Sequence, residues 1–400
     1  MGALDGVKVV DFGWQLQLPL ATQFLADNGA TVVRVESLTS IDSMRVAPPR
    51  RGEGVGVSGW FGFFMCNKYS LALNLKHERG PEIARKLVAW ADIMAHNFTV
   101  GTVDHWGLDY ESVRKINPRI IVLESNFLGQ TGPHARQPGF GVMGVAQCGI
   151  TNFTGWPDRS PVNPFVGYTD LVTPRFSASA LMAALEYRDR TGQSVYLDSA
   201  QLETSLQFIA TPLLQYTANG IETGRMGNEC PYAAPHGAYR CKGDDQWCTI
   251  ATFNDGEWQA LVEAMGKPEW ATSSKFATLL GRKQNEAALN SLIESWTINF
   301  TRDEVMEKLQ AAGVAAGPVE SSADIFDDPQ LQARGHFWYH DYSELGRFPY
   351  NGPSYRLSKT PAQFRFSPPE IGENNEYVCR ELLRMTEEEY INYLVAGVFE

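Results

Sequence analysis

Compact apolar runs of strand length alternate with amphipathic stretches through the first half of the chain. Residues 7–12, 31–36, 70–74, 93–96, 120–125 and 195–198 are rich in Val, Ile and Leu and are bounded by turn-forming residues, which predicts strands. Between several of them apolar positions recur at helical spacing. Such alternation predicts an α/β domain with a doubly wound, mainly parallel sheet, whose ligands gather at the carboxyl ends of the strands. Asn97-Phe98 and Phe127-Leu128-Gly129 would lie there.

The pattern changes in the loop Val166-Gly167-Tyr168-Thr169-Asp170-Leu171-Val172-Thr173-Pro174. After it Phe176, Ala180, Leu181, Ala184, Leu185 and Arg188 recur at three- and four-residue spacing, which predicts a long helix with Pro174 in its first turn. Asp170 is thereby expected near a helix N-terminus. Taken alone, an aspartate there is most often a cap. Unpaired N–H groups and the positive end of the helix dipole also favour its ionised form, the form that can attack an acyl carbon.

From Gly224 the texture is different. Residues 237–241 and 247–251 bracket Lys242-Gly243-Asp244-Asp245 and read as a hairpin, followed by helical stretches at 256–266, 287–296 and 302–312. This predicts a smaller α+β domain over 226–330, joined by a linker at 206–225 to a large domain that begins with 1–205. The segment 331–400, with Pro349, Pro353, Pro361, Pro368 and Pro369, reads as extended chain that wraps over another surface.

Composition narrows the function classes. With 400 residues, 44% of them hydrophobic, there is apolar material for more than one core, and a net charge of −12 disfavours nucleic acid and anionic membranes as partners. An anionic ligand would need a local basic patch, for which Arg34, Arg45, Arg50, Arg51, Lys68, Lys76 and Arg79 are candidates; the alternative for them is a solvated rim. No apolar run approaches the ~20 residues of a membrane span, and no signal-like leader is recognisable, so a cytoplasmic protein is expected. The six cysteines are scattered and read as reduced thiols. His336 and His340 share a spacing that a strand would hold too far apart for one ion, so no metal site is expected.

Several motifs in order then carry a resemblance. Arg188-Asp189-Arg190-Thr191-Gly192 precedes a short strand ending in Asp198 and a helix from Ser199. Leu4-Asp5-Gly6-Val7-Lys8-Val9-Val10-Asp11-Phe12 opens the chain, Asn67-Lys68-Tyr69-Ser70-Leu71-Ala72-Leu73-Asn74-Leu75-Lys76 follows, and Asn97-Phe98-Thr99-Val100-Gly101 precedes Gly107-Leu108-Asp109-Tyr110 and Asn117-Pro118-Arg119. Together they resemble the class III CoA-transferase family, also called CaiB/BaiF. The resemblance implies a large domain built from both chain ends with 331–400 returning to it, a small domain between them, and two interlocked subunits. It implies that Asp170 is the nucleophile of CoA transfer from an acyl-CoA to a free carboxylic acid, through a mixed anhydride and an aspartyl-CoA thioester. Coenzyme A is then a substrate, and no permanently bound cofactor is expected.

By the same resemblance Leu73 and Lys76 match positions that hold the CoA nucleotide, Asn97 and Phe98 line the pantetheine path, Gln15 and His105 fall near further CoA contacts, and Phe140 and Gly141 stand beside the nucleophile. Trp14, Trp60, Trp156 and Phe140 are candidates for an aromatic acyl pocket. The chain departs from the family pattern with Leu18-Pro19 for Gly-Pro, with Thr99 after Asn-Phe, and with Ser37 after the second strand. Racemases of the superfamily use a histidine where Phe140 stands, and phenylalanine cannot carry a proton, so a racemase or epimerase is the lesser alternative. Between residues 224 and 239 only Gly224, Gly227 and Gly237 occur, which disfavours the glycine-rich lid of formyl-CoA transferases and with it oxalate or formate as acceptor. A homodimer is expected, with a heteromer of homologous subunits, in which this chain is a non-catalytic CoA-binding partner, as the other alternative.

Overall fold

Six parallel strands carry the site. In the computed structural model, which describes residues 1–342 and 345–400, they are β1 (Lys8–Asp11), β2 (Thr31–Glu36), β3 (Tyr69–Ala72), β4 (Ile93–His96), β5 (Ile121–Asn126) and β6 (Val195–Ala200), in the order β3-β2-β1-β4-β5-β6. β4 and β5 are buried along their whole length, and their apolar starts Ile93-Met94-Ala95 and Ile121-Val122-Leu123 give way to polar residues at the carboxyl ends, His96 and Glu124-Ser125-Asn126. The expected strands are all present, with ends shifted by a residue or two. Sequential strands fan out in opposite directions from β1 and β4, so the crevice at their carboxyl ends is the natural ligand position.

Alternate side chains of the sheet feed two cores. Val9, Val32, Ile93, Ala95, Ile121 and Leu123 pack on Leu18 and Leu25 of the helix Gln17–Asp27 and on Leu181, Ala184 and Leu185 of the long helix. On the other face Val10, Val33, Val35, Leu71, Met94 and Val122 meet Ile83, Leu87 and Val88 of the helix Gly80–Trp90. Leu181 is fully buried, so Leu181→Ala would cost about 2–5 kcal/mol.

The tail corrects the expectation of a merely extended wrap. Phe337–Tyr342 pairs antiparallel with Gly346–Asn351, and a helix Glu387–Val395 starts at a Thr386 capping box. Val378, Cys379, Met385, Tyr393, Val398 and Phe399 enter the second core. Their spacing is too irregular to register as a repeat, although each is fully or largely buried. Residues Ala333–Glu400 accordingly cluster with Met1–Thr151 and Asn163–Glu222 in one compact unit.

The other unit comprises Asn152–Val162 and Thr223–Gln332. Its hairpin pairs His236–Arg240 with Trp247–Ala251, and Ala315–Pro318 adds a third strand whose small residues gave no strand signal. Trp258, Leu261, Leu289, Ile293, Val305 and Leu309 fill its core. Trp156 belongs to this unit, where it packs on Gly227, whereas Trp14, Trp60 and Phe140 line a cavity of the first.

Three of the seven basic candidates of the first quarter differ from expectation. Arg34, Arg45 and Lys68 are 2%, 1% and 1% exposed, so they form neither a surface patch nor a solvated rim. Lys68 Nζ lies 3.0 Å from Asp11, Arg45 pairs with Glu36 at 2.6 Å, and Arg34 pairs with Asp42. A buried charge must be matched, and here each is. Among the described residues no helix is long and apolar enough to cross a membrane, and no three His, Cys, Asp or Glu side chains gather as metal ligands. His340 is buried with its ring nitrogens near Ser367 Oγ at 3.0 Å and the Gly62 carbonyl at 3.2 Å.

Candidate active site

The carboxyl ends of β1, β4 and β5 open into a cavity of about 620 Å³ that also reaches the start of the long helix. Trp14, Gln15 and Gln17 line it from the first loop, Asn97, Ser125 and Asn126 from the strand ends, and Phe140, Gly141, Gly167, Asp170 and Gln201 from the far side. Among the described residues Asp170 is the one ionisable side chain in that lining.

The long helix begins earlier than its apolar pattern. It spans Tyr168–Thr191, so Asp170 lies within the first turn and Pro174 lies inside the helix instead of opening it. Burial of Thr169, Val172 and Thr173 draws these turn-prone residues into helix. Pro174 has no N–H to return to the Asp170 carbonyl four residues back, which leaves the first turn loosely tied.

Two glycines and an amide hold the carboxylate. A Cβ built on Gly141 or Gly167 would overlap the Asp170 carboxylate. Gln201 Nε2 donates to Asp170 Oδ1 at 2.6 Å and to Thr169 Oγ1 at 2.8 Å, while Thr169 Oγ1 donates to the Gly141 carbonyl at 3.0 Å. Burial pushes the Asp170 carboxyl up to about 6, against the pull of the Gln201 amide and the Gly141 N–H. This reverses the expected direction, because desolvation outweighs the helix end. The group is still ionised by roughly ten to one at pH 7, and a desolvated carboxylate of raised basicity is the stronger nucleophile.

The other expected residues divide into two groups. Gln15, Asn97, Phe140 and Gly141 line the cavity with Asp170; Leu73, Lys76, Phe98 and His105 do not. Asn97 turns its amide onto the chain, with Oδ1 accepting from Trp14 N–H and Nδ2 donating to the Trp14 carbonyl, each at 2.8 Å. Phe98 packs on the core, stacked on His96 at 5.9 Å and edge-on to Trp106 at 5.6 Å. Leu73 is 1% exposed in the core, so its backbone is what it can offer a ligand. Lys76 and His105 are exposed, the latter on the short turn Val103–Trp106. Phe140 stands 64% exposed at the rim, just before the helix Gly141–Gln147. Leu18 points into the core at 0% exposure, so the leucine that replaces the family's glycine is accommodated there.

Several cavity residues that the sequence did not single out shape the site. Gly167 and Gln201 build the carboxylate cradle, and Gln17 donates to Ser125 Oγ at 2.6 Å. Asn126 accepts from Gly129 N–H at 2.6 Å, and among the described residues its buried Nδ2 has no hydrogen-bond partner. A buried amide donor left open beside a cavity is suited to a ligand oxygen. Gln201 was within reach of a sequence reading, since it follows the strand that ends the Arg-x-Arg-Thr-Gly motif.

Comparison with known proteins places the chain in a family. The family model described as CoA-transferase family III matches residues 4–375. The chain is similar to succinyl-CoA–D-citramalate CoA-transferase of Chloroflexus aurantiacus, 33% identical over 387 residues covering 96% of this chain and 95% of that protein. It is also similar to the succinyl-CoA–L-malate CoA-transferase beta subunit of the same organism, 32% identical over 96% of this chain and 95% of the relative. Among solved structures, a CaiB/BaiF family protein from Brucella suis superposes with a TM-score of 0.87 at 35% identity, covering 95% of this chain and 99% of that one. The chain belongs to CoA-transferase family III and is an enzyme of CoA transfer between acids.

Proposed function

We propose that this enzyme moves CoA from the thioester of a short dicarboxylic acid, such as succinyl-CoA, to a second dicarboxylic acid, with Asp170 as nucleophile. The observation that carries this reading is the Asp170 carboxylate, ionised and desolvated, in a two-glycine cradle on the wall of the cavity. Asp170 attacks the thioester carbonyl and expels CoA thiolate, giving a mixed anhydride. The thiolate then attacks the aspartyl carbonyl, which frees the donor acid and leaves an aspartyl-CoA thioester. The acceptor carboxylate attacks that thioester and releases the thiolate again. Thiolate attack on the acceptor's acyl carbonyl yields the new acyl-CoA and restores Asp170. No resident metal or redox cofactor takes part in this route. Once Asp170 is acylated, the Gly141 N–H and Gln201 amide remain beside its carbonyl oxygen, where negative charge develops in each step.

A dicarboxylic acceptor is supported by the lining and by the relatives. Gln15, Gln17, Ser125 and Asn126 supply neutral polar groups, and the named relatives act on citramalate and malate with succinyl-CoA. Lys76, His105, Phe98 and the Leu73 backbone are assigned to the more distant CoA nucleotide and pantetheine. A cytoplasmic location fits CoA thioester substrates and six free cysteines.

A second copy of the chain completes the proposed enzyme. The helix Ala210–Asn219 has no buried residue, and Phe208, Leu213, Leu214 and Tyr216 are 52%, 44%, 65% and 58% exposed, an apolar surface suited to a partner subunit. A heteromer is the second reading, because one relative is named a beta subunit. Purified chain is offered succinyl-CoA with a panel of mono- and dicarboxylic acids, and products are read by mass spectrometry alongside light scattering. Turnover of dicarboxylates by the chain alone, as a dimer, is expected; no turnover without a second homologous chain would overturn the homomeric reading, and turnover restricted to monocarboxylates would overturn the acceptor class.

A further inference from the structure

Three consecutive backbone N–H groups in the loop after β1 end on three different side-chain oxygens, two of them on buried carboxylates. Gly13 N–H donates to Asp11 Oδ1 at 2.8 Å, Trp14 N–H to Asn97 Oδ1 at 2.8 Å, and Gln15 N–H to Asp42 Oδ2 at 2.9 Å. The carboxylates are themselves fixed. Asp11 Oδ2 accepts from Lys68 Nζ at 3.0 Å and from Thr22 Oγ1 at 2.6 Å. Asp42 is ion-paired with Arg34 and accepts from Met44 N–H at 2.9 Å. Asp11, Asp42, Arg34 and Lys68 are 0%, 4%, 2% and 1% exposed, and none of the four lines the cavity.

The backbone between these clamps is not one the sequence would choose. Gln15 has φ 62, the left-handed region in which glycine is at ease and a branched or long side chain is not. Glycine would give the same turn without force. Instead an amide side chain stands there, held in a disfavoured conformation, and both Trp14 and Gln15 line the cavity with Asp170. Backbone held against its preference by surrounding structure is a mark of a working site.

We propose that Asp42, locked by Arg34, is a positioning residue for CoA transfer that sets Gln15 in the wall of the Asp170 cavity. The proposal rests on the reading of Asp170 as the nucleophile of this enzyme. Asp42 acts through Gln15 and not on the substrate. Its removal should therefore matter only while a side chain at position 15 depends on it.

A double-mutant cycle on the full-length protein tests this. Steady-state kcat and KM are measured for wild type, Asp42→Ala, Gln15→Gly and the double variant, each normalised to folded protein by its thermal melt. Asp42→Ala is expected to lower kcat/KM by about 10- to 100-fold, chiefly through kcat, as a misplaced wall does. In the Gln15→Gly background the same change should move kcat/KM by no more than about twofold. Equal factors in both backgrounds, or a lower melting temperature with unchanged kcat and KM, would overturn the proposal. If Asp42→Ala does not fold because the buried Arg34 is left unpaired, Asp42→Leu combined with Arg34→Met, which removes both charges and the acceptor of the Gln15 N–H, is run through the same cycle and read by the same criterion. Wild-type protein that transfers no CoA would refute the transferase reading itself, whereas active wild type with additive variants refutes only the positioning role.

Discussion

Replacing Asp170 by asparagine should abolish turnover and, above neutral pH, make the protein more stable. Burial lifts the Asp170 carboxyl to about 6 from 3.8. The folded state thus holds this proton more tightly than the unfolded chain, so the group opposes folding as pH rises through that interval. At 1.36 kcal/mol per unit, the penalty of carrying the buried charge reaches about 3 kcal/mol above pH 7, and about half of it is gone at pH 5. Asparagine carries no charge. Its NH₂, however, must face either the Gly141 N–H or the Gln201 Nε2, both donors, and losing that hydrogen bond costs about 1 kcal/mol. The variant should therefore gain about 2 kcal/mol over wild type at pH 8 and about half a kcal/mol at pH 5. Paired urea and thermal melts at the two pH values measure the difference, and the activity loss should span several orders of magnitude. A variant no more stable than wild type at pH 8, or one with the same offset at both pH values, would refute the desolvated carboxylate.

Three further outcomes are expected. Gly141→Ala places a methyl group where the Asp170 carboxylate lies and should lower kcat by at least about 100-fold while circular dichroism stays native. Gln201→Leu removes a donor that pulls the Asp170 carboxyl down, so the acid limb of the kcat/KM profile should move to higher pH. Truncation after residue 376 strips Val378, Cys379, Met385, Tyr393, Val398 and Phe399 from the core of the large unit and should leave a chain without a cooperative melt.

How much of this was legible in the sequence depended on whether a signal was local. β4 and β5 could be read because each opens with three consecutive apolar residues of strand type, and Asp170 stood out because a carboxylate follows small residues and precedes a long run of helical spacing. Pairing partners carry no such signal. Lys68 meets Asp11 across 57 positions and Asn97 meets Trp14 across 83, so neither the burial of Lys68, a candidate for a basic patch, nor the hold of Asn97 on the first loop could be read locally. The left-handed backbone of Gln15 was equally hidden, because glutamine rarely adopts it and nothing nearby announces it. The apolar residues of the tail were visible one by one, but their burial depends on a sheet face assembled hundreds of residues earlier. Desolvation of Asp170 was misjudged for the same reason: a helix end is a local feature, and burial is not.

The most direct test is covalent capture. Wild type and Asp170→Asn are incubated with succinyl-CoA without acceptor, quenched with hydroxylamine or reduced with borohydride, digested and analysed by mass spectrometry. The account requires a hydroxamate or a reduced alcohol on Asp170 of the wild-type peptide and neither on the variant. An unmodified Asp170 in enzyme that is turning over, or a label on another side chain, would contradict it.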